Sequence, residues 1–171
     1  MIDKPAASSA PLVIGCVTEP VQKYIQQSAR LLLSIKWFGG EVANAPFILC
    51  TTGRLPAAAE SFFTSRGAQI VVVERVSEKH GPSNKLRFLE LSMLDNWQHI
   101  LLLDCDTILV QDPSVYLSCA GLAVKIADVP TVTSNDFKQL FSIFDMEMPS
   151  ERLEHDISGT SCIPYFNSGV M

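Results

Sequence analysis

The chain has 171 residues, of which 47% are hydrophobic and only 18% are charged. This length favours one domain with a sizeable core, and the apolar content argues against disorder over most of the chain. The formal net charge of -5 argues against a general nucleic-acid binder, and most of the acidity is local, because residues 128–156 hold seven acidic side chains against two basic ones.

Strands and helices alternate over the first two thirds of the chain. The first strand is predicted at 12–18, and the helix after it follows an apolar stripe from Pro20 to the two glycines at 39–40. A strand at 46–51, a helix at 56–66 and a strand at 69–73 come next. Ser83 is then a plausible N-cap for a helix to about Asp95, before the most apolar strand at 99–103. Solid apolar strands between helices predict a parallel sheet that is covered on both faces.

The acidic stretch carries a helical signal of its own. Four apolar residues follow the spacing i, i+3, i+4, i+7, namely Phe137, Leu140, Phe141 and Phe144. This stripe is typical of a helix that packs on a core and leaves its acidic face to solvent. We therefore expect an acidic helical insertion at about residues 128–164 within a single domain of residues 1–171.

Targeting signals and cysteine usage favour the cytoplasm. No apolar run approaches the roughly 20 residues of a membrane helix, and the first ten residues lack the features of a secretory signal. The five cysteines include no CxxC pair, so neither a zinc ribbon nor a redox motif is predicted. We expect a reducing cytoplasmic location without a membrane span. The chain stops at residue 171 without a polar tail, so we also expect it to be truncated.

A pair of carboxylates marks the candidate site. Asp104, Cys105 and Asp106 follow directly on the fourth predicted strand, and ligands of open α/β sheets bind outside the carboxyl ends of strands. If the backbone stays extended, Asp104 and Asp106 point to the same side and can bind a hard dication through oxygen. Such an ion would help an acidic protein to bind a diphosphate. Taken alone, the same pattern fits a solvated strand end equally well.

Three segments occur in a characteristic order. They are NKLRFLEL at 84–91, LLLDCDTILV at 101–110 and FNSGV at 166–170. With them the chain resembles the nucleotide-sugar half of a GT-A glycosyltransferase, and it is most similar to the glycogenin-like members of family 8. The resemblance covers essentially the whole chain. It implies an α/β fold, a three-layer Rossmann-like GT-A domain with a mostly parallel central sheet, whose C-terminal part is missing.

The resemblance also implies roles for the charged residues. Asp104 and Asp106 match the DxD motif, which in the family holds a divalent ion, Mn²⁺ or Mg²⁺. In the family, the first aspartate of the motif, which Asp104 matches, also faces the ribose of the donor. Lys85 matches a lysine that reaches toward the donor sugar and its phosphates. Residues in these roles are expected to bind a nucleoside-diphosphate sugar.

Other parts of the donor site follow from the same resemblance. Asn167, Ser168 and Gly169 match a segment that lines the donor-sugar pocket, and Thr18 ends the strand at which such enzymes seat the base. The family supplies a further metal ligand, a histidine, and most of the acceptor side beyond the point where this chain ends. The catalytic residues and the acceptor therefore stay unknown.

The function expected from these residues is metal-dependent transfer of a hexose from a nucleoside-diphosphate sugar, with a UDP-sugar as the expected donor. Two alternatives stay open. A haloacid-dehalogenase-like phosphohydrolase would use Asp104 as nucleophile and Asp106 as acid and base, although Thr107 lies one place early for the DxDx[TV] motif of those enzymes. The other alternative is a truncated domain that binds the donor without turnover.

Overall fold

In a computed structural model, the structure describes residues 12–117, 121–127, 132–154, 157, 159–167 and 169–171. Contacts between residues divide the chain into two compact units. Unit 1 comprises Met1–Gly121 together with Met171, and unit 2 comprises Leu122–Val170. Within the described ranges, no helix combines the length and the apolar character that a membrane span requires.

Unit 1 is built on a four-stranded parallel sheet. Its strands are β1 (Leu12–Thr18), β2 (Phe47–Thr51), β3 (Ala68–Val72) and β4 (His99–Asp104). They lie in the order β3-β2-β1-β4, and every neighbouring pair is parallel. The predicted α/β class and parallel sheet are confirmed, because solid β-branched and apolar runs form strands that are buried between two layers.

Two long helices of unit 1 follow the predicted positions. They are α1 (Gln22–Phe38), which begins two residues after Pro20 and ends at Gly39, and α2 (Ala57–Thr64), which begins directly after Pro56. Pro56 is the N-cap of α2, with φ -57° and ψ 143°, and Pro20 directly precedes Val21, the N-cap of α1, so both prolines stand just outside the helices that they introduce.

The continuous helix predicted from Ser83 to about Asp95 is wrong. The chain forms a short 3₁₀ helix at Gly81–Lys85, a single α-helical turn, α3 (Leu86–Leu89), and another 3₁₀ helix at Ser92–Asn96. Leu91 adopts an extended conformation with φ -73° and ψ 115°, which interrupts the helix. This interruption lets Phe88 and Leu94, on either side of it, both pack against the sheet.

The sheet carries apolar side chains on both faces. One cluster joins strand residues to α1 and α2, and its fully buried members include Ile14, Leu32, Leu49 and Phe63. The second cluster joins the alternate strand residues to the segment around α3, and it includes Val13, Ile48, Phe88 and Leu102. Because successive strand residues point to opposite faces, the two clusters make a three-layer, Rossmann-like arrangement.

Close packing of α3 on β1 depends on Gly15. A Cβ atom at this position would lie 2.1 Å from a ring atom of Phe88, so only glycine leaves room for the buried ring. Phe88 follows the 3₁₀ helix that carries Lys85, and that helix contacts β1. The glycine therefore brings the Lys85 segment close to the central strand.

The sheet of unit 1 is extended at its β4 edge by the last residue. The backbone N–H of Met171 donates to the carbonyl of Leu102 at 3.0 Å, and the N–H of Leu102 donates to the carbonyl of Met171 at 2.7 Å. A reciprocal pair of this kind is the hydrogen-bonded pair of an antiparallel ladder. The sheet is thus mostly parallel, as predicted.

Unit 2 contains much shorter elements. Its strands are β5 (Lys125–Ile126), β6 (Leu153–Glu154), β7 (Ser161–Cys162) and β8 (Phe166–Asn167), and its helix is α4 (Ser134–Ile143). The strands form two antiparallel pairs, β5 with β8 and β6 with β7. Each strand has two residues, which is too short for a periodic sequence pattern to reveal.

Helix α4 confirms the helix expected in the acidic stretch. Thr133 caps it with a capping box, in which the threonine hydroxyl accepts from the N–H of Asp136 while the Asp136 carboxylate accepts from the N–H of Thr133. The expected packing of the whole apolar stripe is wrong in part. The Phe137 ring contacts Phe141 and Tyr165, whereas Phe144, just past the end of the helix, is 65% exposed.

Candidate functional site

A cavity opens at the carboxyl edge of the parallel sheet in unit 1. Strands β1 and β4 are neighbours, and Val17 near the end of β1 is paired with Asp104 at the end of β4. Carboxyl ends of adjacent parallel strands meet at one edge, which is where open α/β sheets bind ligands. The sheet topology thus brings the residues that follow β1 close to the carboxylates that follow β4.

The cavity has a volume of about 230 Å³. It is lined by the end of β1, one residue of α1, the 3₁₀ helix at Gly81–Lys85 and the end of β4, through Val17, Thr18, Glu19, Tyr24, Gly81, Pro82, Asn84, Lys85, Asp104, Cys105 and Asp106. Small-molecule sites span roughly 300–1,000 Å³, so this cavity has room for part of a large ligand. Four of the predicted site residues, Thr18, Lys85, Asp104 and Asp106, line it together.

The backbone that carries the two aspartates differs from the expected one. Strand β4 ends at Asp104, and the chain then turns, with the N–H of Thr107 donating to the carbonyl of Asp104 at 3.0 Å. The extended backbone assumed for residues 104–106 is therefore wrong. Asp104 and Asp106 nevertheless line the same cavity, because the turn keeps both residues at the strand end.

Lys85 and Asp104 form an ion pair across the cavity. The Lys85 Nζ contacts the Asp104 Oδ1, and the two side chains are only 18% and 32% exposed. A pair that is partly shielded from water is screened less than one on an open surface. The lysine therefore neutralises one of the two carboxylates.

Thr18 lies at the end of β1 and is almost completely buried. Its hydroxyl is 3.4 Å from the carbonyl oxygen of Glu19, to which it donates. The residue lines the cavity mainly as part of the strand end, so its side chain offers little surface to a ligand.

A polar network beside the cavity was missed from the sequence. The Glu19 carboxylate accepts from Asn84 Nδ2 and from an Arg75 guanidinium nitrogen, each at 3.2 Å. Asn84 is buried, and its Oδ1 accepts from the N–H of Val76 at 2.9 Å. The network ties the end of β1, the loop after β3 and the Lys85 segment together. One available signal was that Glu19 directly follows a strand that ends at the predicted ligand edge.

Tyr24, on the first turns of α1, was missed as well. It lines the cavity, and about a third of its surface is exposed. Aromatic faces stack on nucleobases with little sequence preference. The cavity thus combines one aromatic side chain with the charged groups at its strand ends.

Cys105 lies between the two aspartates, and its thiol donates weakly to Gln27 Oε1 at 3.7 Å. Burial foremost, together with the negative charges of Asp106 and Asp104, raises the pKa of this thiol to about 11. The thiol is therefore protonated near neutral pH, which makes it a poor nucleophile.

The remaining predicted site residues belong to unit 2. Asn167 is the last residue of β8, and its Oδ1 accepts from the N–H of Gly169 at 2.7 Å. This bond shapes a local turn at the end of β8. Ser168 lies outside the described residues.

The residues at the cavity fit a divalent ion that is shared with a ligand. Asp104 and Asp106 offer carboxylate oxygens, the donor type that Mn²⁺ and Mg²⁺ prefer. Within the described part of the chain, no three His, Cys, Asp or Glu residues are grouped to hold an ion by themselves. Magnesium in nucleotide enzymes is typically held by one or two carboxylates plus phosphate oxygens, and this donor set matches that type of site.

Comparison with solved structures identifies the fold. The chain aligns with core-mannan synthase A from Aspergillus fumigatus in a Mn/GDP form, at TM-score 0.51 and 10% identity over 86% of this chain and 52% of that one. It aligns with the mannosyltransferase Ktr4p from S. cerevisiae at TM-score 0.53 and 8% identity, over 84% and 46% of the two chains. The bifunctional glycosyltransferase WbbM in its apo form gives TM-score 0.54 and 10% identity over 96% and 31%.

The chain thus has a GT-A-like fold. The chain spans about half or less of the length of these solved structures. No protein-family model and no curated protein matches the sequence. The likeness extends to several glycosyltransferases and does not single out the glycogenin-like family.

Proposed function

We propose that the chain binds a nucleoside-diphosphate sugar at the cavity of unit 1 and belongs to an enzyme that transfers the hexose to an acceptor. The observation that carries this proposal is the meeting of Lys85, Asp104 and Asp106 in one cavity at the carboxyl edge of β1 and β4. Two carboxylates and a lysine supply what a metal-bound diphosphate needs, namely oxygen ligands for the ion and a cation for the phosphates.

The residues of the cavity divide the work of binding. Asp104 and Asp106 would hold a Mn²⁺ or Mg²⁺ ion, which supplies positive charge that stabilises the departing diphosphate. Lys85 donates to the phosphates from the side of the 3₁₀ helix. Tyr24 provides a flat apolar face for the base, and the network of Glu19 and Asn84 fixes the strand end beneath it.

The identity of the donor is part of the proposal. The resemblance to glycogenin-like proteins favours a UDP-sugar, and it assigns Asn167, Ser168 and Gly169 to the sugar pocket and Thr18 to the base. The Aspergillus fumigatus structure contains GDP, which makes a GDP-sugar the competing donor. Direct comparison of the two nucleotides therefore belongs in the first experiment.

Calorimetric titration with UDP and GDP, each with and without Mn²⁺, tests the proposal. We expect one nucleotide to bind only when the metal is present. Asp106→Ala should weaken that binding by about ten- to hundredfold, because a charge-assisted interaction contributes about 1.5–3 kcal/mol. Asp104→Asn should have a similar effect. Asp95→Asn, an exposed aspartate on the 3₁₀ helix at Ser92–Asn96, is the matched control and should bind like the wild type.

Product assays separate the alternatives. Release of hexose from the donor, lost in Asp106→Ala, supports a transferase that also hydrolyses its donor slowly. Metal-dependent binding without any turnover supports a donor-binding domain. Absence of metal-dependent binding for every nucleotide and sugar nucleotide contradicts the proposal, and phosphate release from p-nitrophenyl phosphate that Asp104→Asn abolishes would favour the phosphohydrolase.

A further inference from the structure

The ion pair between Lys85 and Asp104 occupies the place where the proposed ion would be bound. Lys85 Nζ contacts Asp104 Oδ1, one of the oxygens that the ion would use. Asp104 is also the more buried of the two aspartates, since Asp106 lies on the exposed turn after β4. The lysine therefore already satisfies the carboxylate that is better shielded from water.

An ammonium group and a dication compete for the same oxygen. Like charges repel strongly at contact distance, and the partly buried position of both side chains leaves little water to screen the repulsion. Binding of an ion to this oxygen, Asp104 Oδ1, thus requires that the Lys85 ammonium group moves away from it. When no donor is bound, moving the ammonium group away breaks the ion pair between Lys85 and Asp104.

A diphosphate compensates for the loss of the ion pair between Lys85 and Asp104. Its oxygens offer Lys85 a new anionic partner in the same cavity, and they complete the coordination of the ion at the same time. The lysine is the last residue of the 3₁₀ helix at Gly81–Lys85. The residue before it, Asn84, is buried and is hydrogen-bonded to Glu19 and Val76. The backbone is therefore held in place, and the change of partner involves the long lysine side chain alone.

We infer that Lys85 couples metal binding to donor binding: it blocks Asp104 against the ion in the free chain and passes to the diphosphate when the donor arrives. The inference rests on the proposed function and deepens it. Metal and nucleotide then bind cooperatively, and by linkage each raises the affinity for the other by the same factor. The arrangement keeps the carboxylates from being occupied by an ion that brings no donor.

The inference is tested by titrating Mn²⁺ into the protein without nucleotide and following the free ion by electron paramagnetic resonance. Lys85→Met keeps the length of the side chain but removes its charge. We expect it to bind Mn²⁺ alone about fivefold more tightly than the wild type, since a partly exposed ion pair contributes up to about 1 kcal/mol. In saturating Mn²⁺, the same variant should bind the preferred nucleotide about tenfold more weakly.

Matched variants show whether the two opposite changes, tighter binding of Mn²⁺ and weaker binding of the nucleotide, come from the charge of Lys85. Lys85→Arg retains the positive charge, so it should not show the tighter binding of Mn²⁺ alone that the neutral variants show. Lys79→Met removes an exposed lysine from the preceding loop and should change neither. Lys85→Gln, a second neutral variant, should repeat the result of Lys85→Met if that protein folds poorly, and circular dichroism checks the fold of each.

Two different failures can be told apart. If neutral variants at Lys85 bind Mn²⁺ alone as weakly as the wild type, or more weakly, the inference is wrong even though nucleotide binding stays intact. A shift of equal size in Lys79→Met would also overturn it. If the wild type binds no nucleotide in the presence of metal, the proposed function itself fails.

Discussion

The two units of the chain bury their apolar side chains to very different extents. Nearly all buried apolar residues of the described chain lie in unit 1, where strands of five to seven residues are covered on both faces. In unit 2, the described residues of this class are Ala127 and Ile163, and the strands have two residues each. Unit 1 therefore has the larger store of hydrophobic stabilisation.

The difference also concerns function. The cavity that holds Lys85, Asp104 and Asp106 is lined by residues of unit 1 alone. Binding groups work best when their supporting elements are rigid and well packed. The proposed nucleotide and metal site therefore depends on unit 1, which holds the core, and substitutions in the two units should differ in their effects on stability and binding.

Removal of a buried ring from unit 1 should have the largest effect. Phe88 is fully buried against Gly15, so Phe88→Ala leaves a cavity and should lower the free energy of unfolding by about 3–5 kcal/mol. The measurement is urea unfolding followed by tryptophan fluorescence. Both tryptophans, Trp37 and Trp97, lie in unit 1, so the signal reports this unit directly.

The matched substitution in unit 2 is Phe144→Ala. Its ring is 65% exposed, so its removal should change the free energy of unfolding by no more than about 0.5 kcal/mol. Equal losses in the two variants would contradict the difference between the units, because they would show that the Phe144 ring is covered by other parts of the protein in solution.

Loss of a buried polar contact should have the next largest effect. Asn84 accepts from the N–H of Val76 and donates to Glu19, and it has almost no exposure. Asn84→Ala removes the hydrogen-bond partner of both groups and should lower the free energy of unfolding by about 2 kcal/mol. It should also weaken nucleotide binding, since Lys85 is the next residue. Both are measured by urea unfolding and calorimetry.

An exposed asparagine of unit 2 is the control for that prediction. Asn135 lies in the first turn of α4 and is solvent-exposed, so Asn135→Ala should leave stability and nucleotide binding close to those of the wild type. If Asn84→Ala is equally mild, the network around Glu19 does not hold the strand end as the structure indicates.

The sheet was readable from the sequence because its signal is local and strong. Each strand of unit 1 is a continuous run of apolar and β-branched residues, and such runs specify a buried strand wherever they occur. The break in the segment after Ser83 was not readable. Ser83 is a plausible N-cap there, yet the extended Leu91 is stable because Phe88 and Leu94 both pack on the sheet. That packing is a tertiary effect, which a local capping signal does not contain.

The candidate site was readable in its charged centre and not in its support. The ligand edge of an α/β sheet and the three resembling segments pointed to Lys85, Asp104 and Asp106, and these residues do line one cavity. Glu19 and Asn84 are 65 residues apart in sequence and meet only through the fold. The two-residue strands of unit 2 were not predicted because they are too short to show a periodic pattern in the sequence.

The smallest expected effect concerns a carboxylate of unit 1 that holds a loop by hydrogen bonds. Asp112 accepts from the N–H of Glu41 at 2.8 Å and from the N–H of Ser114 at 2.9 Å. These bonds, that from Glu41 foremost, lower the pKa of the Asp112 carboxyl. Gly40, at φ +55°, allows the close approach, because a Cβ there would lie 2.2 Å from Asp112 Oδ2.

The sign of the resulting pH dependence follows from the lowered pKa of Asp112. The ionised carboxylate stabilises the folded chain at pH values above its ordinary pKa of 3.8, and this contribution is lost as the pH falls through the lower pKa of the folded state. Asp112→Asn should therefore cost stability at pH 7, by less than about 1 kcal/mol because solvent screens the group. Below pH 3.8 its difference from the wild type should shrink.

Tryptophan-monitored urea unfolding at pH 7 and below pH 3.8 measures the change in the free energy of unfolding. A difference that is the same at both would show that the loop does not depend on the Asp112 charge, whereas Asp136→Asn, its counterpart at the cap of α4 in unit 2, should leave this transition unchanged at either pH.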